Sequence, residues 1–292
     1  MPQIYETDEN KIVIGDALEA LRDLPESSAD LIFVDPPYNI GKDFDGIQDR
    51  EEEETFFQWC EKWLAECVRV LSPEGSFYLM NSTQNMPRLD LWCRRHLTIL
   101  SRIVWSYDSS GVQAKSFFGS MFEPMLHMVA NPKRYTFNAN DILVEAKTGA
   151  RRGLIDYRKN PPQPYNTTKV PGNVWDFPRV RFKMEEYENH PSQKPEALLE
   201  RVIRASSNPG DLVLDPFSGS FTTGAVASRL GRRTISIEKN EAYLPIGLRR
   251  IGIESDLPKE MLLKEKRRKT QNLSKRQRDR ELVEQSILKL EL

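Results

Sequence analysis

The stretch Leu31-Ile32-Phe33-Val34-Asp35-Pro36-Pro37-Tyr38-Asn39 constrains this chain more than any other. Four apolar residues run without a polar break into an acid, two prolines and an aromatic, which predicts a buried parallel strand opening at its C-terminal end into a stiff loop. The prolines restrict φ and remove two backbone donors, while the carbonyls of Asp35 and Pro36 stay free as acceptors. A carboxylate, outward carbonyls and a flat ring held together suit a planar molecule that carries an amino group, as adenine does.

The chain around this strand reads as alternating elements. A strand over 11–14 ends in Gly15-Asp16, and a short helix over 17–24 is closed by Pro25. Apolar residues at 56, 59, 60, 63, 64, 67, 70 and 71 give a helix over 55–71 that seats Cys60 and Cys67 in the core. Ser72-Pro73-Glu74-Gly75 ends it; a strand over 76–80, a helix over 88–96 and strands over 103–107 and 124–129 follow. From 131 to 189 the pattern breaks into Pro, Gly, Asn, basic and aromatic residues. A helix after Pro195, a strand into Asp215, a helix stopped at Gly231 and a strand over 234–237 into Glu238 complete the set. Such βαβ alternation implies an α/β fold with a doubly wound, mainly parallel sheet.

Composition narrows the function classes. With 39% hydrophobic residues in 292 there is ample core. No stretch approaches the roughly 20 apolar residues of a membrane span and no secretory h-region is present, so a cytoplasmic, nucleoid-associated protein with no membrane partner is expected. Three cysteines and three scattered histidines suggest neither a disulfide framework nor a metal. The net charge of −1 is segregated: nine Lys/Arg against two Asp lie in 147–183, and nine against two acids in 264–280. Two basic blocks on a near-neutral chain point to a polyanion, with a merely solvated tail as the competing reading for the second. The interleaved aromatics of 131–189 suit phosphates and base edges; an irregular cap with those aromatics buried is the alternative there.

Four predicted strands end in acids: Asp16, Asp35, Asp215 and Glu238. In a doubly wound sheet, ligands bind outside the carboxyl ends of the strands, so these acids are expected to converge on one cleft. The turn Asp215-Pro216-Phe217-Ser218-Gly219-Ser220-Phe221-Thr222-Thr223-Gly224 permits close backbone approach but lacks the spacing of a phosphate-gripping loop. Glu238 is placed to accept from the two hydroxyls of a ribose. A nucleoside without phosphates and with an amino-acid tail fits, and S-adenosylmethionine is such a ligand.

The order of Asp35-Pro36-Pro37-Tyr38, a variable middle, His190-Pro191-Ser192-Gln193-Lys194-Pro195 and then Asp215 to Thr223 resembles the β group of DNA amino-methyltransferases. The resemblance implies a Rossmann-like methyltransferase sheet with a catalytic half over 1–130, a target-recognition region over 131–189, a cofactor half over 190–255 and a basic tail over 256–292. It implies catalysis by Asp35, Pro36, Pro37 and Tyr38. Asp215, Phe217, Gly219, Thr222 and Thr223 would line the S-adenosylmethionine pocket, Glu238 would hold the ribose, Asp16 the cofactor adenine, and His190, Ser192 and Lys194 the neighbouring wall. The family usually has Gly where this chain has Phe221, a departure that bears on cofactor affinity and loop geometry.

Asp in the first position of the tetrapeptide, rather than Ser, resembles the adenine-N6 subset, acting on a base flipped out of duplex DNA. The alternatives are N4-cytosine methylation, a catalytically silent DNA-binding regulator on the same scaffold, and, on the sheet pattern alone, a nucleotide-binding oxidoreductase. A homodimer is implied by resemblance only. If the 264–280 block grips phosphates, deleting 256–292 is expected to flatten the salt dependence of DNA binding in a titration series; an unchanged slope would return it to a solvated tail.

Overall fold

The run Ala29–Val34 carries one polar side chain, Asp30, and its alternating residues are buried on both sides. In the computed structural model, which describes residues 2–43, 46, 49–108, 115–147 and 152–253, this run is the fifth of nine strands in one sheet. The basic block 264–280 and the whole of 256–292 lie outside the described residues.

The elements in chain order are β1 (Gln3–Glu6), β2 (Asn10–Ile14), α1 (Ala17–Arg22), β3 (Ala29–Val34), α2 (Glu53–Val70), β4 (Leu71–Met80), α3 (Met86–Cys93), β5 (Thr98–Ser106) and β6 (Phe122–Val129). There follow β7 (Val144–Glu145), β8 (Ile155–Asp156), β9 (Gln163–Pro164), β10 (Thr168–Lys169), β11 (Val174–Asp176), α4 (Glu196–Ser206), β12 (Leu212–Asp215), α5 (Thr222–Arg229), β13 (Arg233–Glu238) and α6 (Leu244–Ile251). The sheet order is β1-β2-β13-β12-β3-β4-β6-β5-β11. Parallel pairing holds β2, β13, β12, β3 and β4 together, and β11 pairs parallel with β5. The mainly parallel sheet has two exceptions, the edge strand β1 and the interior strand β6, which run antiparallel to their neighbours. An apolar strand in the middle of a sheet reads the same in either direction, so the residues of β6 carried no sign of its reversal.

Period-2 alternation in β3 divides the core. Ile32 and Val34 face α2 and its row of Phe56, Phe57, Cys60, Trp63, Leu64, Cys67 and Val70. Leu31 and Phe33 face α4 and α5 through Leu198, Leu199, Val202, Ile203, Val226 and Ala227. At roughly 1.5–3 kcal/mol for each large side chain removed from water, the two layers fix β3 on both of its faces. The predicted turn over 72–75 is instead an excursion within β4: Ala29 pairs with Leu71 but Leu31 with Ser76. Gly75 allows it, since a Cβ there would sit 2.7 Å from the Leu71 side chain and 3.0 Å from the Asp30 carbonyl oxygen.

The irregular stretch contributes two small ribbons, β7 with β10 and β8 with β9, and it lends β11 to the edge of the main sheet. Trp175, grouped by sequence with the nucleic-acid-contacting aromatics, is buried against Trp105, Leu199 and their neighbours, as the cap reading held. Tyr157, by contrast, is exposed. No helix among the described residues is long and apolar enough to cross a membrane.

Phe221 takes a left-handed conformation, φ +58, which glycine adopts at no steric cost. Its ring is fully buried with Ile12, Ile14, Tyr243 and Leu248 and lies flat over Gly247, where a Cβ would be 2.8 Å from the ring. Relief of left-handed strain is worth about 1–3 kcal/mol, and deletion of a buried Phe costs about 3–5 kcal/mol. The cavity outweighs the strain, so Phe221→Gly is expected to lower stability by about 2 kcal/mol in urea unfolding; a more stable variant would refute this packing role.

Candidate active site

The C-terminal ends of β2, β3, β12 and β13 lie side by side, and the acids that follow or end them, Asp16, Asp35, Asp215 and Glu238, all line one cleft of about 630 Å³. That volume suits a drug-sized ligand. Every residue singled out from sequence lines it: Asp35, Pro36, Pro37 and Tyr38 on one side, Asp16, Asp215, Phe217, Gly219, Thr222, Thr223 and Glu238 on the other, with His190, Ser192 and Lys194 between.

On the Asp35 side, three buried charges meet. Lys194 Nζ lies 2.6 Å from Asp35 Oδ2 and 3.3 Å from Glu123 Oε2. The Tyr38 hydroxyl lies 2.6 Å from Asp35 Oδ1 and 2.9 Å from Glu123 Oε2. Burial pushes the Asp35 carboxyl above its usual range against the pull of Lys194. Burial also acts to raise Glu123, but Lys194 and the Tyr38 hydroxyl more than offset it and hold that carboxyl low. Burial opposes the Lys194 charge, yet Asp35 and Glu123 outweigh it and push the ammonium up to about 12. Tyr38 is held as the neutral phenol, by burial first and then by the two carboxylates. The loop is pinned from outside the cluster, since Asn85 Nδ2 donates to the Tyr38 carbonyl at 2.7 Å and the Tyr38 amide to Asp49 at 3.2 Å.

The resemblance put Lys194 on the cofactor wall; the structure places its ammonium on Asp35, because a buried lysine goes where carboxylates offset its desolvation. Glu123 was missed. It is a single acid ahead of Pro124 at the start of β6, and its partners are 85 and 71 residues away in sequence, so no local pattern marks it.

On the other side, Gly219 (φ +51) donates its amide to Glu238 Oε2 at 2.7 Å, and Asn240 donates to Oε1 at 2.7 Å. A Cβ on Gly219 would sit 2.8 Å from the His190 ring, so only glycine lets the turn lie against that imidazole. Burial, then Lys194 and Lys42, bring His190 down to about 3, so it is neutral at physiological pH. Ser192 donates its amide to His190 Nδ1 at 3.3 Å. Asp215 accepts the Phe217 amide at 3.0 Å and the Thr223 hydroxyl, but burial dominates and lifts its carboxyl to about 7. Phe217 packs edge-on against Trp59 and Trp63 of α2, at 5.7 and 5.2 Å between ring centroids. Thr222 is engaged by Ser220 and by Arg250 Nη1, each at 3.0 Å. Asp16 caps α1 through the Leu18 amide at 3.0 Å and faces Lys239 at 3.6 Å.

A family model described as DNA methylase matches residues 29–249. The chain belongs to the DNA methylase family. It is 63% identical over 277 residues to the DNA adenine methyltransferase YhdJ of Escherichia coli (strain K12), covering 95% of this chain and 94% of that one. Among solved structures, the PvuII DNA methyltransferase (cytosine-N4-specific) superposes with a TM-score of 0.67 at 20% identity, over 89% of this chain and 92% of its own. The M1.HpyAVI–SAM complex superposes with a TM-score of 0.56 at 22% identity, over 83% and 99%. These two structural neighbours establish the Rossmann-like fold at the level of the backbone.

The Asp215 shift has a stability consequence. With a folded value near 7 against an ordinary 3.8, the folded chain keeps a proton that the unfolded chain releases between about pH 4 and 7. Stability therefore falls as pH rises through that window and levels off above it. Asp215→Asn should flatten the fall in urea midpoints measured from pH 4 to 8, and an unchanged slope would assign it elsewhere.

Proposed function

We propose that this chain transfers a methyl group from S-adenosylmethionine to the N6 amino group of an adenine flipped out of duplex DNA. The observation that carries the proposal is that the Asp35-Pro36-Pro37-Tyr38 loop and the Asp215 to Thr223 turn open into one cleft. The high identity to a protein named DNA adenine methyltransferase supports adenine as the target.

The cofactor side fits a nucleoside with a charged amino-acid tail. The Glu238 carboxylate accepts backbone amides from Gly219 and Asn240 on its two oxygens, with the Lys239 amide also near, and its remaining acceptor capacity suits a ribose hydroxyl. The Gly219 turn, lying flat on His190, leaves a slot that any side chain would fill. Asp16 keeps acceptor capacity on Oδ2 beside Lys239 for an adenine amino group. Neutral His190 and the Phe217 ring give apolar walls, and Asp215 presents a carboxyl with its own acceptor sites. When bound, S-adenosylmethionine supplies an electrophilic methyl on a sulfonium.

The N6 lone pair of adenine is delocalised into the ring and is a poor nucleophile. Asp35 and the Pro36 carbonyl accept from the two N6 hydrogens, which favours a pyramidal nitrogen and stabilises the positive charge it gains. The Tyr38 ring stacks on the base. Proline at 36 and 37 fixes these acceptors before the base arrives, so little ordering remains for the bound state.

The 131–189 stretch is proposed as the target-recognition region. Its Arg179 guanidinium, 5.1 Å from the Tyr107 ring centroid at the cleft, and its exposed Tyr157 suit phosphate and base contacts.

The test is transfer of labelled methyl from S-adenosylmethionine to unmethylated genomic DNA, with nucleoside analysis. Label is expected in N6-methyladenine, and Asp35→Ala should cut the rate on the order of a hundredfold or more. Label in N4-methylcytosine would overturn the choice of base, and no label with bound cofactor and DNA would support the binding-only alternative.

A further inference from the structure

The cleft holds more buried charge than the transfer step described above uses. One ammonium, Lys194, faces two carboxylates, Asp35 and Glu123, and one hydroxyl, Tyr38, lies between the same two carboxylates. The hydroxyl has one proton, so it donates to one carboxylate at a time. Both Asp35 oxygens face a strong donor at 2.6 Å, the Tyr38 hydroxyl on Oδ1 and the ammonium on Oδ2. An exocyclic amino group is a neutral and weaker donor. It competes for Asp35 only if those donors have somewhere else to go.

We propose that Glu123 is a positioning residue for methyl transfer: it is the alternative acceptor that takes the Tyr38 hydroxyl and draws Lys194 when the target amino group docks on Asp35. The inference rests on the adenine reading above. The change required is small. The Tyr38 proton turns from one carboxylate to the other about its C–O bond, and Lys194 Nζ is already 3.3 Å from Glu123. No charge enters or leaves, because the ammonium and the two carboxylates carry −1 before and after. That surplus negative charge faces a nitrogen that becomes positive as the methyl arrives. Glu123 is itself held, with the Tyr107 hydroxyl 3.5 Å from Oε1 and Arg179 packed on the Tyr107 ring.

The test compares Glu123→Gln, which keeps the shape and removes the charge, with wild type in single-turnover methylation of one duplex. Affinities for S-adenosylmethionine and for DNA should stay within about twofold, while the transfer rate falls about ten- to hundredfold, the range for hydrogen bonds to charged groups. The decisive readout is Tyr38→Phe in the Glu123→Gln background. Without its hydroxyl the ring no longer occupies Asp35 Oδ1, so the double variant should be several-fold faster than Glu123→Gln alone. Glu123→Asp, which keeps the charge one methylene further back, should be intermediate and serves if the Gln variant does not fold. A double variant as slow as Glu123→Gln, a Glu123→Gln at wild-type rate, or a loss confined to folding or ligand affinity would overturn the inference. Wild type that makes no N6-methyladenine would overturn the functional reading itself, whereas active wild type with the wrong variant pattern overturns only the role of Glu123.

Discussion

A buried carboxylate at a strand end needs a counter-charge or a proton, and at Asp35 the Lys194 contact is the interaction on which the site depends. An isolated ionised carboxylate in an apolar interior would neutralise itself instead. Lys194 at 2.6 Å and Tyr38 at 2.6 Å oppose that cost, and Glu123 in turn keeps the lysine charged. Buried ion clusters add little net stability against apolar replacements. Under the proposed function their presence is explained by chemistry: they hold an acceptor at the place where the amino group docks.

The contact also ties together distant parts of the chain. Asp35 and Tyr38 follow β3, Glu123 begins β6 and Lys194 precedes α4. They meet because β3 lies fifth in the sheet, β4 separates it from β6, and α4 packs over the face that carries Leu31 and Phe33. The same placement sets β12 directly beside β3, so the Asp215 turn and the Asp35 loop open toward each other. One strand order thus brings the Asp35 loop and the Asp215 turn, far apart in sequence, to the two sides of one cleft.

Phe221 shows how a departure from a family pattern is absorbed. The backbone needs a left-handed residue at the turn, φ +58, a conformation that glycine adopts at no steric cost. This chain accepts the strain and fills the space above Gly247 with a buried ring. The ring points into the core with Ile12 and Tyr243 and is not among the residues that line the cleft.

Local chemistry was legible in the residues themselves. The apolar run of β3, the 3.6-residue period of α2, the Gly231 stop after α5 and the four strand-end acids each carry their meaning within a few neighbours, because secondary structure and strand-end position are short-range properties. The tetrapeptide at 35–38 and the turn at 215–223 were readable for the same reason. The reversal of β6, the burial of Trp175 on an edge strand, the role of Glu123 and the pairing of Lys194 with Asp35 were not. Each depends on which distant segment lies alongside, and a single acid or lysine has the same local sequence whether it faces water or a buried counter-charge. The sequence by itself determined the elements and the acids that mark the cleft; the tertiary structure alone decided which charges share it, since only packing brings residues 35 and 123 within reach of the residue 194 ammonium.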